Sequence, residues 1–146
     1  MTTTLQNGIL FEESGAVLEW GTPIDKLAKT LKARKVQTGG RTIYEWGTHT
    51  ILGGLKLSLT TSYLDFGFES FLRKFDAIEF WAIGDINAEK YLPLIHSHLT
   101  EQIGPPNQKV TNAPDESYEW VVNRCRITLY FFEQHAYKLH LSIIHL

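Results

Sequence analysis

Residues 118–132 read Tyr-Glu-Trp-Val-Val-Asn-Arg-Cys-Arg-Ile-Thr-Leu-Tyr-Phe-Phe. Cys125, Ile127, Leu129 and Phe131 take every second position, and Arg124, Arg126, Thr128, Tyr130 and Phe132 fall between them. Successive side chains of an extended chain point to opposite faces. The alternation therefore predicts one long strand, Tyr118–Phe132, with an apolar side and a second side bearing Arg and aromatic residues. Glu133–Ala136 reads as a hairpin turn and Tyr137–His145 as the last strand. Such a pair calls for an apolar layer over its Cys125 side.

Working outward, Ile9–Phe11 and Ala16–Trp20 read as short strands around a turn at Glu12–Gly15. A helix follows, with Thr22 as its cap, Pro23 at its first position, and Ile24, Leu27, Ala28 and Leu31 on one apolar face. Gly39-Gly40 lies in the connection after it. Thr42–Trp46 and Ile51–Tyr63 read as strands, with Gly53-Gly54 marking a bulge or sharp bend. Phe66–Phe75 carries helical spacing and reads as a short helix or turn. Ile78–Ile83 is a strand. Ala88–Ile103 is a second helix with Leu92, Ile95, Leu99 and Ile103 inward, and Pro93 predicts a kink or a late start. Gly104-Pro105-Pro106 ends it, and 107–117 reads as a polar loop. The expected class is α+β: an antiparallel sheet with helices packed on one face, in a single domain spanning 1–146.

The chain repeats a pattern. Ala16-Val17-Leu18-Glu19-Trp20 resembles Ala77-Ile78-Glu79-Phe80-Trp81, and Tyr44-Glu45-Trp46 recurs as Tyr118-Glu119-Trp120. Each half then reads strand–helix–strand–strand, over residues 9–64 and 76–146. Tandem helix-on-antiparallel-sheet units resemble bacterial inhibitor and immunity-type proteins, including the β-lactamase inhibitory protein class. That resemblance is one of element order. It implies a protein-masking function and carries over no functional residue.

Composition excludes several classes. The 146 residues carry a formal net charge of -2, without the basic excess usual in nucleic-acid binders. The lone Cys125 allows no internal disulfide. Met1–Gly8 has neither a basic nor an apolar signal region, and no apolar run reaches the ~20 residues that cross a bilayer. A cytoplasmic protein is expected, without membrane or nucleic-acid partners and without a cofactor.

Candidate chemistry is sparse. His49, His96, His98, His135, His140 and His145 show no metal-ligand spacing, although His49 and His140 with a carboxylate could form a site. No metal is expected. Cys125 shares the phase of Ile127 and Leu129 and reads as core. Asp65-Phe66-Gly67 lacks the rest of a kinase signature. Asp65, Glu69, Asp76 and Glu79 read as surface acids, and Lys26, Lys29 and Lys32 as a solvated helix face. No catalytic residue is assigned.

The feature that stands out is the second side of the long strand. Arg124, Arg126, Tyr130 and Phe132 are residue types enriched at protein interfaces. The expectation is a non-enzymatic protein-binding domain docking through this sheet face. The alternative is a small-molecule-binding or hydrolytic domain with a pocket between helix and sheet lined by Trp20, Trp46, Trp81 or Trp120. A homodimer with paired sheets is a third reading.

Overall fold

A computed structural model describes residues 3–65 and 73–146. The chain opens with a hairpin, β1 (Gly8–Phe11) and β2 (Ala16–Glu19), followed by helix α1 (Ile24–Thr30). A meander comes next: β3 (Arg34–Thr38), β4 (Arg41–Ile51) and β5 (Leu55–Leu64). Strand β6 (Ala77–Ile83) leads into helix α2 (Asp85–Ile103). A second meander closes the chain: β7 (Gln108–Asn112), β8 (Asp115–Val122), β9 (Cys125–Gln134) and β10 (Ala136–His145).

The later strands form one eight-stranded sheet of order β3-β4-β5-β6-β10-β9-β8-β7, while β1 and β2 form a separate pair. Every pairing among the described residues is antiparallel. Two four-strand runs thus meet along β6 and β10. The α+β class and the antiparallel sheet with two helices are as expected.

Cross-strand rows show which face is buried. Ile78 stands opposite Ile143, Ile143 opposite Ile127, and Ile127 opposite Trp120. All four are at most 1% exposed, and each such side chain contributes about 1.5–3 kcal/mol by leaving water. Helix α2 buries Ala88, Ile95 and Leu99 against this face, and Tyr91 meets Phe80 edge-on with centroids 5.0 Å apart. Helix α1 lies on the same side, where Asp25 accepts a 2.6 Å hydrogen bond from the Tyr44 hydroxyl. The β1–β2 hairpin joins them, with Phe11 stacked 3.8 Å from His49. Among the described residues, nothing packs on the opposite face.

Several local readings need correction. The stretch 118–132 is two strands, joined by a turn at Asn123 (φ 50) and Arg124 (φ 61). Two central residues at positive φ match the right-handed twist of a tight hairpin. The segment 107–117 holds β7 and the start of β8 rather than a loop. Gly39-Gly40 and Gly53-Gly54 sit in the turns of the β3–β4 and β4–β5 hairpins. The bulge in β4 lies instead at Glu45/Gly47, where Gly47 has φ +93. It shifts the inward phase from Tyr44 and Trp46 to His49 and Ile51.

Thr22 does not cap α1. Its hydroxyl bonds back to the Glu19 carbonyl, Pro23 is the cap, and the free Ile24 N–H donates to the Arg73 carbonyl at 2.9 Å. Helix α2 starts at Asp85 and runs through Pro93. The Phe66–Phe75 reading falls mostly on residues outside those described. Strand β2 is absent from the main sheet, so Ala16–Trp20 and Ala77–Trp81 occupy different environments.

The outer hairpins, by contrast, match closely. Lys35 pairs with Tyr44 and Lys109 with Tyr118. Each ammonium lies 5.5 Å over its tyrosine ring. Tyr44–Trp46 and Tyr118–Trp120 have centroid separations of 6.2 and 6.4 Å. Val36 and Val110 follow the lysines at the same spacing.

Candidate functional site

The uncovered face carries large exposed apolar side chains among its polar ones. Leu64, Trp81, Ile83, Val110, Val121, Tyr130 and Ile144 all project from it and are 37–61% exposed. Trp81, Ile83, Tyr130 and Val110 gather at one end of the face and Leu64, Val121 and Ile144 at the other, with the row Thr60, Glu79, Ser142, Thr128 and Glu119 between them. Exposed apolar clusters of this kind mark interaction surfaces.

Its centre is built from β6, β10 and β9. Trp81 stands directly opposite His140, and the rings stack at 4.0 Å. His140 in turn stands opposite Tyr130, and Lys138 opposite Phe132. Phe132 meets the Trp81 edge at 6.3 Å and stacks on Tyr130 at 4.6 Å. The result is an aromatic ridge on the β10–β9 side of β6.

Polar groups run beside it. The His140 Nε2–H donates to Glu79 Oε2 at 2.7 Å, and Ser62 Oγ donates to Glu79 Oε1 at 2.7 Å. Arg41 donates to Ser62 Oγ at 3.1 Å. Burial pushes the Glu79 carboxyl up. The hydrogen bonds from His140 and Ser62, with the nearby His140 and Arg41 charges, outweigh it and hold the pKa below the ordinary 4.5.

This is not a nucleophile–base arrangement. A catalytic serine must donate to the histidine that takes its proton. Here Ser62 and His140 both donate to the same carboxylate, one on each oxygen. The group locks Glu79 in place and orients the imidazole that Trp81 stacks on.

The β5·β6 junction is short, with Thr60 opposite Glu79. A shallow depression of about 510 Å³ lies over it, lined by Arg41, Ile43, Glu45, Thr60, Ser62, Glu79, Trp81 and Ile83. A smaller one of about 310 Å³ lies on the far side of the ridge, by Tyr130, Ser117 and Val110. Charges on the face nearly cancel. Arg34 pairs with Glu45 at 3.6 Å and Arg126 with Glu119 at 3.5 Å. Arg41, Lys56 and Lys138 are set against Glu79 and Asp115.

Of the residues singled out in the sequence, Arg126, Tyr130 and Phe132 do share this face. Arg124 does not: it sits in the β8–β9 turn, where its carbonyl accepts from Leu146 N–H at 2.8 Å. The four tryptophans do not converge. Trp46 is 6% exposed and donates to Thr61, and Trp120 is fully buried and donates to the Gly104 carbonyl. Trp20 donates to the Leu5 carbonyl and stacks on Phe75, while Trp81 is on the other side of the sheet. The layer between helices and sheet is filled by Ile95, Leu99, Leu129 and Leu141.

The remaining candidates resolve into packing. His49 and His140 are on opposite faces, with His49 bonded to the Trp46 carbonyl. His98 bonds the Leu52 carbonyl, and His145 stacks on Trp20. Among the described residues no group of three His, Cys, Asp or Glu side chains could hold a metal ion. Cys125 is fully buried, and burial pushes its thiol up. Lys26, Lys29 and Lys32 are solvent-exposed. Glu69 lies outside the described residues.

Sequence reasoning missed Trp81, Glu79, His140 and Ile83 as parts of one surface. The signal was the alternation in β6: Ile78, Phe80 and Ala82 are buried, and Trp81 and Ile83 are their exposed counterphase. No helix among the described residues is long and apolar enough to cross a membrane. Comparison with protein-family models, curated proteins and solved structures finds no match.

Proposed function

We propose that this chain is a non-enzymatic protein-binding domain that docks a partner through the open face of its eight-stranded sheet. The binding mode would be masking of the partner's surface, as in inhibitor and immunity-type proteins. One observation carries the reading: the aromatic centre of Trp81, His140, Phe132 and Tyr130, with Trp81 and Tyr130 exposed and His140 and Phe132 half-buried, on a face whose ion pairs Arg126–Glu119 and Arg34–Glu45 lie away from it. An aromatic centre with a polar rim is the anatomy of protein interfaces. The near-cancelling charges argue against a nucleic acid, which needs a cationic stripe. We also read the two meanders as related halves. The Lys-Val and Tyr-Glu-Trp residues at matching register in both outer hairpins support this.

Photo-crosslinking in the producing cell tests the docking face. A benzophenone amino acid replaces Tyr130 in one variant and Val17, exposed on β2, in another. The expected result is discrete protein adducts from position 130 and none from position 17. Equal yields from both positions, or no adduct from position 130, would overturn the reading.

A further inference from the structure

We infer that the partner on this face is a second copy of the same chain, packed face to face as an isologous dimer. The inference rests on the docking reading above and names its occupant.

Shape is the first argument. The Tyr130–Phe132 ridge lies on one side of β6, and the depression of about 510 Å³ lies on the other, over β4 and β5. A twofold axis lying in the interface near Trp81 and inclined to β6 carries the Tyr130 and Phe132 rows, level with Trp81 and Ile83, over the β4–β5 rows of the partner that are level with Glu79 and Ala77. The ridge of each copy then enters the depression of the other, and the fit is made twice. Trp81, on β6 at the margin of the depression, falls on the axis and meets its own copy. An isologous contact requires this kind of self-complementary patch.

Charge is the second. The face holds both signs in nearly equal number, and its ion pairs Arg34–Glu45 and Arg126–Glu119 are already made within one copy. Two such faces meet without a net repulsive field, whereas a strongly charged partner gains nothing from this one.

Area is the third. Strands about 4.8 Å apart make an eight-stranded face roughly 34 Å wide. Allowing for short edge strands and twist, each copy covers on the order of 800 Å², the share of one partner in a standard stable interface.

Sedimentation equilibrium on the purified full chain tests the inference, between about 1 and 100 µM, where an interface of this size is expected to populate a dimer. The expected result is a dimer mass for wild type. Trp81→Ala and Tyr130→Ser should each weaken association at least about 30-fold, as central aromatic residues do. Val17→Glu on β2 should leave it unchanged. Circular dichroism establishes that each variant is folded, and the two face variants are independent should one fail to fold. A monomeric wild type overturns the second-copy inference. A dimer that folded face variants leave intact also overturns it, because the copies then meet elsewhere. The docking reading is judged separately: adducts from position 130 to a different protein sustain it when the dimer fails.

Discussion

Trp81 and His140 stand directly opposite each other across the β6·β10 pair, with their rings stacked at 4.0 Å in the middle of the sheet. The second nitrogen-bearing edge of the imidazole is committed to Glu79 at 2.7 Å. The pair therefore joins an exposed apolar surface to a partly buried ionic one.

The Glu79 side chain is 18% exposed, so losing its donor is costly. His140→Ala should destabilise the fold by about 1–3 kcal/mol, the penalty for an unpaired polar group. The Glu79 pKa lies below 4.5 in the fold. The folded chain then binds fewer protons than the unfolded one as pH falls through the carboxylate range. The stability this group contributes is present above that range and is lost as pH falls through the lowered value. Glu79→Gln should flatten that part of the acid limb. Urea melts at neutral and acid pH check both. Parallel acid limbs in wild type and Glu79→Gln would remove Glu79 as the source.

Two tryptophans should behave oppositely. Trp120 is fully buried and hydrogen-bonded to the Gly104 carbonyl, whereas Trp81 is 43% exposed. Trp120→Ala should cost about 3–5 kcal/mol. Trp81→Ala should cost about 1 kcal/mol or less in the isolated chain, in line with surface substitutions. Chemical denaturation of both variants at low protein concentration gives the comparison, which keeps association out of the measured difference.

Arg124 holds φ 61 in the β8–β9 turn. A side chain in the left-handed region costs roughly 1–2 kcal/mol, which glycine avoids. Glycine returns part of this as extra freedom in the unfolded chain. Arg124→Gly should therefore stabilise by about 0.5–1 kcal/mol. A lower melting temperature would show that the Arg124 side chain makes a contact outweighing the strain.

Cys125 is fully buried, its thiol bonds the Leu5 carbonyl at 3.5 Å, and burial raises its pKa. The native protein should resist aromatic disulfide reagents near neutral pH and react stoichiometrically once unfolded. Labelling at the rate of a free thiol in the native state would contradict the packed position.

Much of the frame was legible from local pattern. The counterphase in β9, the turn before β10 and the inner stripes of both helices follow from side-chain periodicity alone. The β8–β9 turn escaped because Asn-Arg lacks the usual glycine. Its trace was a phase slip: Trp120 and Cys125 are both fully buried, though an odd separation within one strand would set them on opposite faces. The same kind of slip, from Trp46 to Ile51, marks the bulge at Gly47.

The surface itself was only partly legible. Arg126, Tyr130 and Phe132 could be placed together because they belong to one strand. Trp81, Glu79 and His140 could not, because they come from strands far apart in the chain.

By itself, then, the sequence determined the alternation of β5 and β9, the apolar face of each helix and the α+β class, because these depend on neighbours a few residues away. Tertiary structure alone decided that β6 lies beside β10 and that both helices and the first hairpin cover the same side. Those choices turn on which apolar surfaces bury one another across the whole chain. They are what leave Trp81, His140 and the ridge of β9 uncovered on a single face.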